Sequence, residues 1–152
     1  MSHKIIKDVG FQFEEIELLF KIYKDILTDS SKEPDIITTT AIAGVIHSFY
    51  NGIEIIMQII LKNVDNFIPE SENWHKAILI QISENNENRK QIISINTKEK
   101  LMNYLAFRHF FRHSYSFYYD WNKIKILVDD MKSVYKEFKN EINSFLNNYD
   151  KI

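Results

Sequence analysis

Residues 104–115 combine basic and aromatic side chains in a pattern that could bind and act on a phosphate group. On an ideal helix, with about 100° between successive residues, two arginines and two histidines share roughly 140° of arc. These residues are Arg108, His109, Arg112 and His113. Arginine is a planar clamp for phosphate, and the ordinary pKa of histidine lies close to neutrality, which suits proton transfer. Because the cluster contains no cysteine or carboxylate, it indicates phosphate chemistry without a metal.

The opposite side of this predicted helix is aromatic, which suits packing against a core. It carries Tyr104, Phe107, Phe110, Phe111, Phe117 and Tyr118. The basic side has two interpretations, because arginine and histidine on an amphipathic helix are often only solvated charge. The net charge of -2 makes the basic cluster local and argues against a general duplex-binding protein. A plain helical dimer with an incidental basic face is therefore one alternative.

A helical metal site is the other chemistry that this segment suggests. His109 and His113 have the four-residue spacing of a zinc-binding pair, but no third ligand and no general-base glutamate lies between them. We therefore expect no metal and no cofactor.

A polar stripe lies along the most apolar segment of the chain, with steps of four, three and four residues. It consists of His47, Asn51, Glu54 and Gln58. The stripe either faces solvent or faces the helix that carries the basic cluster. In the second case Asn51 and Glu54 would hydrogen-bond and orient Arg108 or His113, because buried polar groups need partners.

The elements that must position these residues are predicted to be helices. Three glycines and two prolines are few, which favours long uninterrupted helices. Hydrophobic periodicity predicts helices over about residues 11–28, 36–65, 72–84 and 98–118 and a fifth that follows Asp120. Thr97 and Asp120 are the expected N-caps of the last two. Together they predict an all-α, up-down bundle of four or five helices, in a single domain over residues 1–152.

Composition also indicates in which compartment of the cell the protein is expected. There is no cysteine, so disulfides and thiolate metal sites are excluded. Residues 1–10 lack the apolar core of a signal peptide. The longest apolar stretch, residues 53–61, contains Glu54 and Gln58 and is expected to be too short and polar to span a bilayer. We expect a cytoplasmic protein without a membrane partner.

Four elements in order resemble the HEPN superfamily, specifically the HepT-like ribonuclease toxins. Residues 108–115 read R-x4-H-x-Y, and residues 49–54 (F-Y-N-G-I-E) look like the second-helix signature of this family. Residues 73–76 (N-W-H-K) are similar to its W-H element, and Asp120-Trp121 follow the motif. Since Asn51 and Glu54 lie in the signature, the resemblance favours the polar stripe facing the motif helix.

The resemblance implies a metal-independent endoribonuclease toxin that acts as a homodimer. Two protomers would bring their R-x4-H helices together across a two-fold axis and form one cleft for RNA. There His113 would transfer protons, and Arg108 would hold the scissile phosphate and stabilise its charge. His109 and Arg112 would contact RNA. Attack by the ribose 2′-OH would explain a preference for RNA and leave a 2′,3′-cyclic phosphate.

In the family, the tyrosine that matches Tyr115 receives AMP from a cognate minimal nucleotidyltransferase antitoxin. On a continuous helix Tyr115 would lie about 20° from Arg108 and two turns along. Added phosphate there would repel or replace the RNA phosphate and act as an off switch. The alternative function is a non-catalytic HEPN module that binds a nucleotidyltransferase partner or a nucleotide.

Overall fold

Helices account for most of the chain in the computed structural model, which describes residues 2–28 and 32–149. They are α1 (Ser2–Ile22), α2 (Lys24–Leu27), α3 (Ile36–Val64), α4 (Trp74–Ile82), α5 (Ile95–His113) and α6 (Trp121–Tyr149), with a 3-10 turn at Ser116–Tyr118. No strand occurs in these residues, so the all-α prediction is confirmed. The first helix begins well before the predicted residue 11 and ends at Ile22, where a separate short helix follows it.

The central helix is α3, which is apolar on nearly every side and packs against every other helix of the bundle. It begins where Asp35 caps it, accepting a hydrogen bond from the Thr38 N–H at 2.7 Å. Gly52 lets α1 approach closely, because a Cβ at that position would lie 2.8 Å from Ile16 Cγ1. This close approach gives a packing reason for the glycine in the F-Y-N-G-I-E segment.

By length and composition alone, α3 could cross a bilayer, with a mean hydropathy of 1.3 in its most apolar window. The stretch over residues 53–61 is part of this longer helix, so its expected shortness does not hold for the helix as a whole. More than half of the window is buried inside the bundle, as it would be in the core helix of a soluble protein, which passes the same test.

The direction of α4 departs from a simple up-down bundle. His75 at its start contacts Glu54, and Gln81 near its end contacts Asp65 at the end of α3. α4 thus runs parallel to α3, because residues 65–73 first return along the bundle. α5 then runs antiparallel to both.

The start of α5 lies three residues before the predicted position. Ser94 has extended backbone angles, and its hydroxyl accepts a hydrogen bond from the Thr97 N–H at 3.1 Å. Ser94 is therefore the N-cap, and the prediction of Thr97 is wrong. The physical reason is that Ile92 and Ile93 are buried in the core, which fixes the approach of the chain to the helix.

The end of α5 also differs from prediction, because the helix stops at His113 rather than near residue 118. Ser114 takes extended backbone angles (φ -119°, ψ 151°) and breaks the helix. α6 packs antiparallel to α5, so the chain must reverse direction before Trp121. Asp120 then caps α6 as predicted, accepting a hydrogen bond from the Asn122 N–H at 3.0 Å.

The early end of α5 changes the predicted aromatic face. Tyr104 and Phe107 are buried as expected, and Phe111 is half-buried. Phe117 and Tyr118 lie in the 3-10 turn instead of on the helix, and both are mainly exposed.

Candidate active site

Arg108 is half-buried on α5 and faces α3. Its Nε–H donates a hydrogen bond to Asn51 Oδ1 at 3.2 Å. The predicted contact between the polar stripe and the motif helix is therefore present at Asn51. Among the described residues, no other hydrogen bond and no ion pair involves this guanidinium. Four of its five N–H donors are left for an anion.

Glu54 does not orient Arg108 or His113, so this part of the prediction is wrong. The carboxylate is buried and pairs with His75, with 2.7 Å between Glu54 Oε2 and His75 Nδ1. The Trp74 ring lies over His75 at 3.6 Å between centroids. The W-H pair begins α4, and Trp74 packs against the core. Because α4 runs parallel to α3, the start of α4 lies beside Glu54, and this long-range pairing has no signal in local spacing.

His47 belongs to the polar stripe, but the sequence did not predict a role for it in the site. Its Nδ1 lies 3.4 Å from Asn51 Nδ2, and its ring stacks on Phe111 at 4.5 Å between centroids. Burial lowers the pKa of His47, and the nearby charges of Arg108 and Arg112 lower it further. The sequence signal for its role was its position four residues before Asn51, which puts both side chains on the same face of α3. At His47 and Asn51 the stripe thus faces α5 rather than solvent.

His109, Arg112 and His113 are exposed at the carboxyl end of α5. The two imidazole rings lie 4.6 Å apart between centroids. Cations are favoured there by the helix dipole. Among the described residues no contact joins Arg108 to His113, and about 140° of helix arc separates them. Within the described residues, a single chain therefore presents a half-buried guanidinium and an exposed imidazole that face different directions, without a closed cleft.

Tyr115 is not on the motif helix, so its predicted position about 20° from Arg108 is wrong. It lies in the extended segment after His113, with φ -70° and ψ 145°. Its side chain is 72% exposed and stacks on Phe117 at 5.3 Å between centroids. The ring thus lies at the surface two residues from His113.

An uncovered apolar surface adjoins the end of α5. We name it the Phe110 surface, and it consists of Phe110, Phe117, Tyr118 and Ile126, all of which are exposed. A cleft of about 690 Å³ runs along it, lined in part by Phe110, Tyr118 and Ile126. Contiguous exposed apolar side chains are typical of a protein interface.

No group of three or more histidine, cysteine, aspartate or glutamate side chains in the described part of the chain is arranged to hold a metal ion. Within that part of the chain, no such side chain lies beside His109 and His113 as a third ligand.

Comparisons with known proteins place the chain in a family. No curated protein and no solved structure matches it. The family model described as HepT-like protein matches residues 41–149, from the first turns of α3 to the end of α6. The match covers well over half of the chain and includes the polar stripe, the motif helix and Tyr115. The chain belongs to the HepT-like family.

Proposed function

We propose that the protein is a metal-independent endoribonuclease that acts as the toxin of a toxin–antitoxin pair in the cytoplasm. The observation that carries this proposal is the state of Arg108. Asn51 holds its Nε, no carboxylate among the described residues neutralises it, and an imidazole lies further along the same helix. Membership of the HepT-like family supports the same function.

In the proposed reaction, Arg108 binds the scissile phosphate and stabilises the charge that develops on it. His113 accepts the proton of the ribose 2′-OH or donates a proton to the leaving 5′-oxygen. The 2′-oxygen loses its proton and forms a bond to phosphorus as the bond to the 5′-oxygen breaks, and the 5′-oxygen gains a proton; His113 carries one of these two protons and water the other. The products are a 2′,3′-cyclic phosphate and a free 5′-OH, and DNA is not a substrate because it lacks the attacking hydroxyl.

We propose that the active form is a homodimer. In one chain Arg108 faces α3 whereas His113 is exposed at the helix end, so a second copy is needed to enclose RNA. The Phe110 surface lies on the other side of α5 from Arg108, so the exposed basic end of α5 would form the shared cleft instead. His109 and Arg112 then lie beside the cleft, where they contact RNA.

We propose that a cognate minimal nucleotidyltransferase antitoxin attaches AMP to Tyr115. The exposure of this side chain in an extended segment supports access by a modifying enzyme. Since Tyr115 follows His113 by two residues, the added phosphodiester would place about one negative charge beside the basic end of α5. That charge would occupy the place of the RNA phosphate.

The test is cleavage of labelled single-stranded RNA in excess EDTA by wild-type protein and by His113→Ala. We expect wild-type cleavage with 2′,3′-cyclic phosphate ends, and a loss of about 10²- to 10⁴-fold in the variant. Arg112→Ala is the matched control, since it removes a neighbouring exposed charge and should have a milder effect. Tight binding of a nucleotidyltransferase without any RNA cleavage would instead identify a non-catalytic module.

A further inference from the structure

We propose that His47 is a positioning residue for Arg108, acting through Asn51 as a neutral imidazole with its proton on Nε2. The inference rests on the proposed role of Arg108 as the phosphate-binding group. His47, which lies in the first half of α3, would join Asn51 in supporting Arg108.

The orientation of the Asn51 amide follows from the chemistry of arginine. A guanidinium can only donate hydrogen bonds, so the atom of Asn51 that faces Arg108 Nε at 3.2 Å must be the oxygen. The amide nitrogen then points to the other side, towards His47 Nδ1 at 3.4 Å. Arg108 thereby determines which atom of Asn51 meets His47.

The tautomer of His47 follows in turn. The Asn51 NH₂ group can only donate, so His47 Nδ1 must carry a lone pair, and the proton of the neutral ring lies on Nε2. A proton on Nδ1 would set two donors against each other. The Nε2 atom is buried without a hydrogen-bond partner among the described residues. A buried donor without a partner is unfavourable, and such groups are found where they serve a functional role.

The surroundings of His47 favour the neutral ring. Burial lowers its pKa, and Arg108 and Arg112 on α5 lower it further. The stack on Phe111, with 24° between the ring planes, fixes the direction of Nδ1. A neutral acceptor in a fixed position supports the Asn51 amide, and the amide supports the guanidinium. Since His47 Nε2 is buried, the residue acts through Asn51 rather than on RNA.

The first experiment determines the tautomer of His47 in the wild-type protein. Long-range ¹H–¹⁵N NMR of protein with labelled histidine distinguishes the two neutral tautomers and the imidazolium, and His47→Asn assigns the signal by its loss. We expect a neutral ring with the proton on Nε2 at pH 7. A proton on Nδ1, or a doubly protonated ring, would overturn the proposal. This result does not depend on RNA cleavage, so it stands apart from the test of the proposed function.

The second experiment compares His47→Phe with His47→Asn. Phenylalanine keeps a ring against Phe111 but has no acceptor, whereas the short amide of asparagine returns an oxygen near the position of Nδ1. Because misplacing a catalytic group by about 1 Å can cost about 100-fold, we expect His47→Phe to lower kcat by roughly 10- to 100-fold with a smaller change in KM. His47→Asn should recover part of kcat although it loses the stacked ring. Wild-type kcat in His47→Phe, or a greater loss in His47→Asn, would contradict the proposal.

Discussion

Two arginines show how differently the same side chain is used at the two ends of the bundle. The side chain of Arg89 is 6% exposed and donates two hydrogen bonds to Asp65, at 2.7 and 2.6 Å. Its other donors reach the carbonyl oxygens of Gln81, Glu84 and Lys90. All five of its N–H groups are thus used inside the protein.

Arg108 uses only one N–H group within the described residues, and its acceptor is a neutral amide. A buried carboxylate would neutralise the guanidinium and fill its donors, as Asp65 does for Arg89. An amide fixes the direction of the side chain and leaves the positive charge unpaired. An arginine whose N–H donors are all used inside the protein, such as Arg89, has a structural role. An arginine such as Arg108, which donates one hydrogen bond to a neutral amide, is available to a ligand.

The largest effect is expected from Arg108→Ala. Loss of the phosphate clamp should lower RNA cleavage by about 10²- to 10³-fold or more, because the charge on the phosphate loses its main stabilising group. The free energy of unfolding should change little, since only one hydrogen bond, to a neutral amide, is removed. Arg108→Lys keeps the charge but loses the planar fork, and we expect it to remain strongly impaired. Single-turnover cleavage and urea unfolding measure the two quantities. Full activity in Arg108→Lys would show that position and planarity are unimportant.

Arg89→Ala should have the opposite effect. It leaves Asp65 as a buried charge without its partner, which costs about 3–5 kcal/mol of folding free energy. Cleavage per folded molecule should remain close to that of the wild type, because Arg89 lies at the far end of α3 from Arg108. Urea unfolding gives the free energy, and the double variant Asp65→Leu with Arg89→Met should regain much of it. Unchanged stability in Arg89→Ala would contradict the structural role.

Lowering the pH should reduce the contribution of the Asp65–Arg89 ion pair to the free energy of unfolding. Burial by itself raises the pKa of Asp65, but hydrogen bonds from Arg89 and Gln81 outweigh it, so the pKa lies below the ordinary value of 3.8. A lowered pKa contributes stability above pH 3.8, and this contribution is lost as the pH falls through the folded-state value. Urea unfolding from pH 6 to the acid limit should show this loss. Asp65→Asn should show a smaller acid dependence, and an equal dependence would refute the assignment.

The smallest combined effect on stability and cleavage is expected from Tyr115→Phe. The ring and its stack on Phe117 are kept, and only the hydroxyl that would accept AMP is lost. The variant should retain most of its RNA cleavage but resist neutralisation when it is co-expressed with the nucleotidyltransferase. Mass spectrometry of the wild-type protein should then map AMP to Tyr115. Modification of Tyr118 or Tyr119 alone would contradict this site.

Hydrophobic periodicity and capping residues predicted those helix boundaries that depend only on neighbouring residues. The helix expected over residues 36–65 is observed as Ile36–Val64, because one long apolar pattern and an aspartate cap define it. The Asp120 cap also follows from the local sequence. Spacing on α3 left open whether the polar stripe faces solvent or α5, and the family resemblance favoured the contact that Asn51 makes with Arg108.

The errors arise where distant segments decide the outcome. The end of α5 at His113 depends on the antiparallel packing of α6, and no glycine or proline marks it. Glu54 pairs with His75 because residues 65–73 return along α3 before α4 begins, which periodicity does not reveal. Tyr115 consequently lies off the helix, two residues beyond its end at His113.

Binding of a non-cleavable RNA most directly tests the central claim that Arg108 is an unpaired phosphate clamp. A single-stranded RNA with 2′-deoxy linkages keeps its phosphates but lacks the attacking hydroxyl, so affinity can be measured at several salt concentrations. We predict that Arg108→Ala binds more weakly and has a smaller salt dependence, by about one unit of slope in log K against log salt. Arg89→Ala, measured where it is folded, should match the wild type. Equal affinity and equal slope for Arg108→Ala and the wild type would contradict the account.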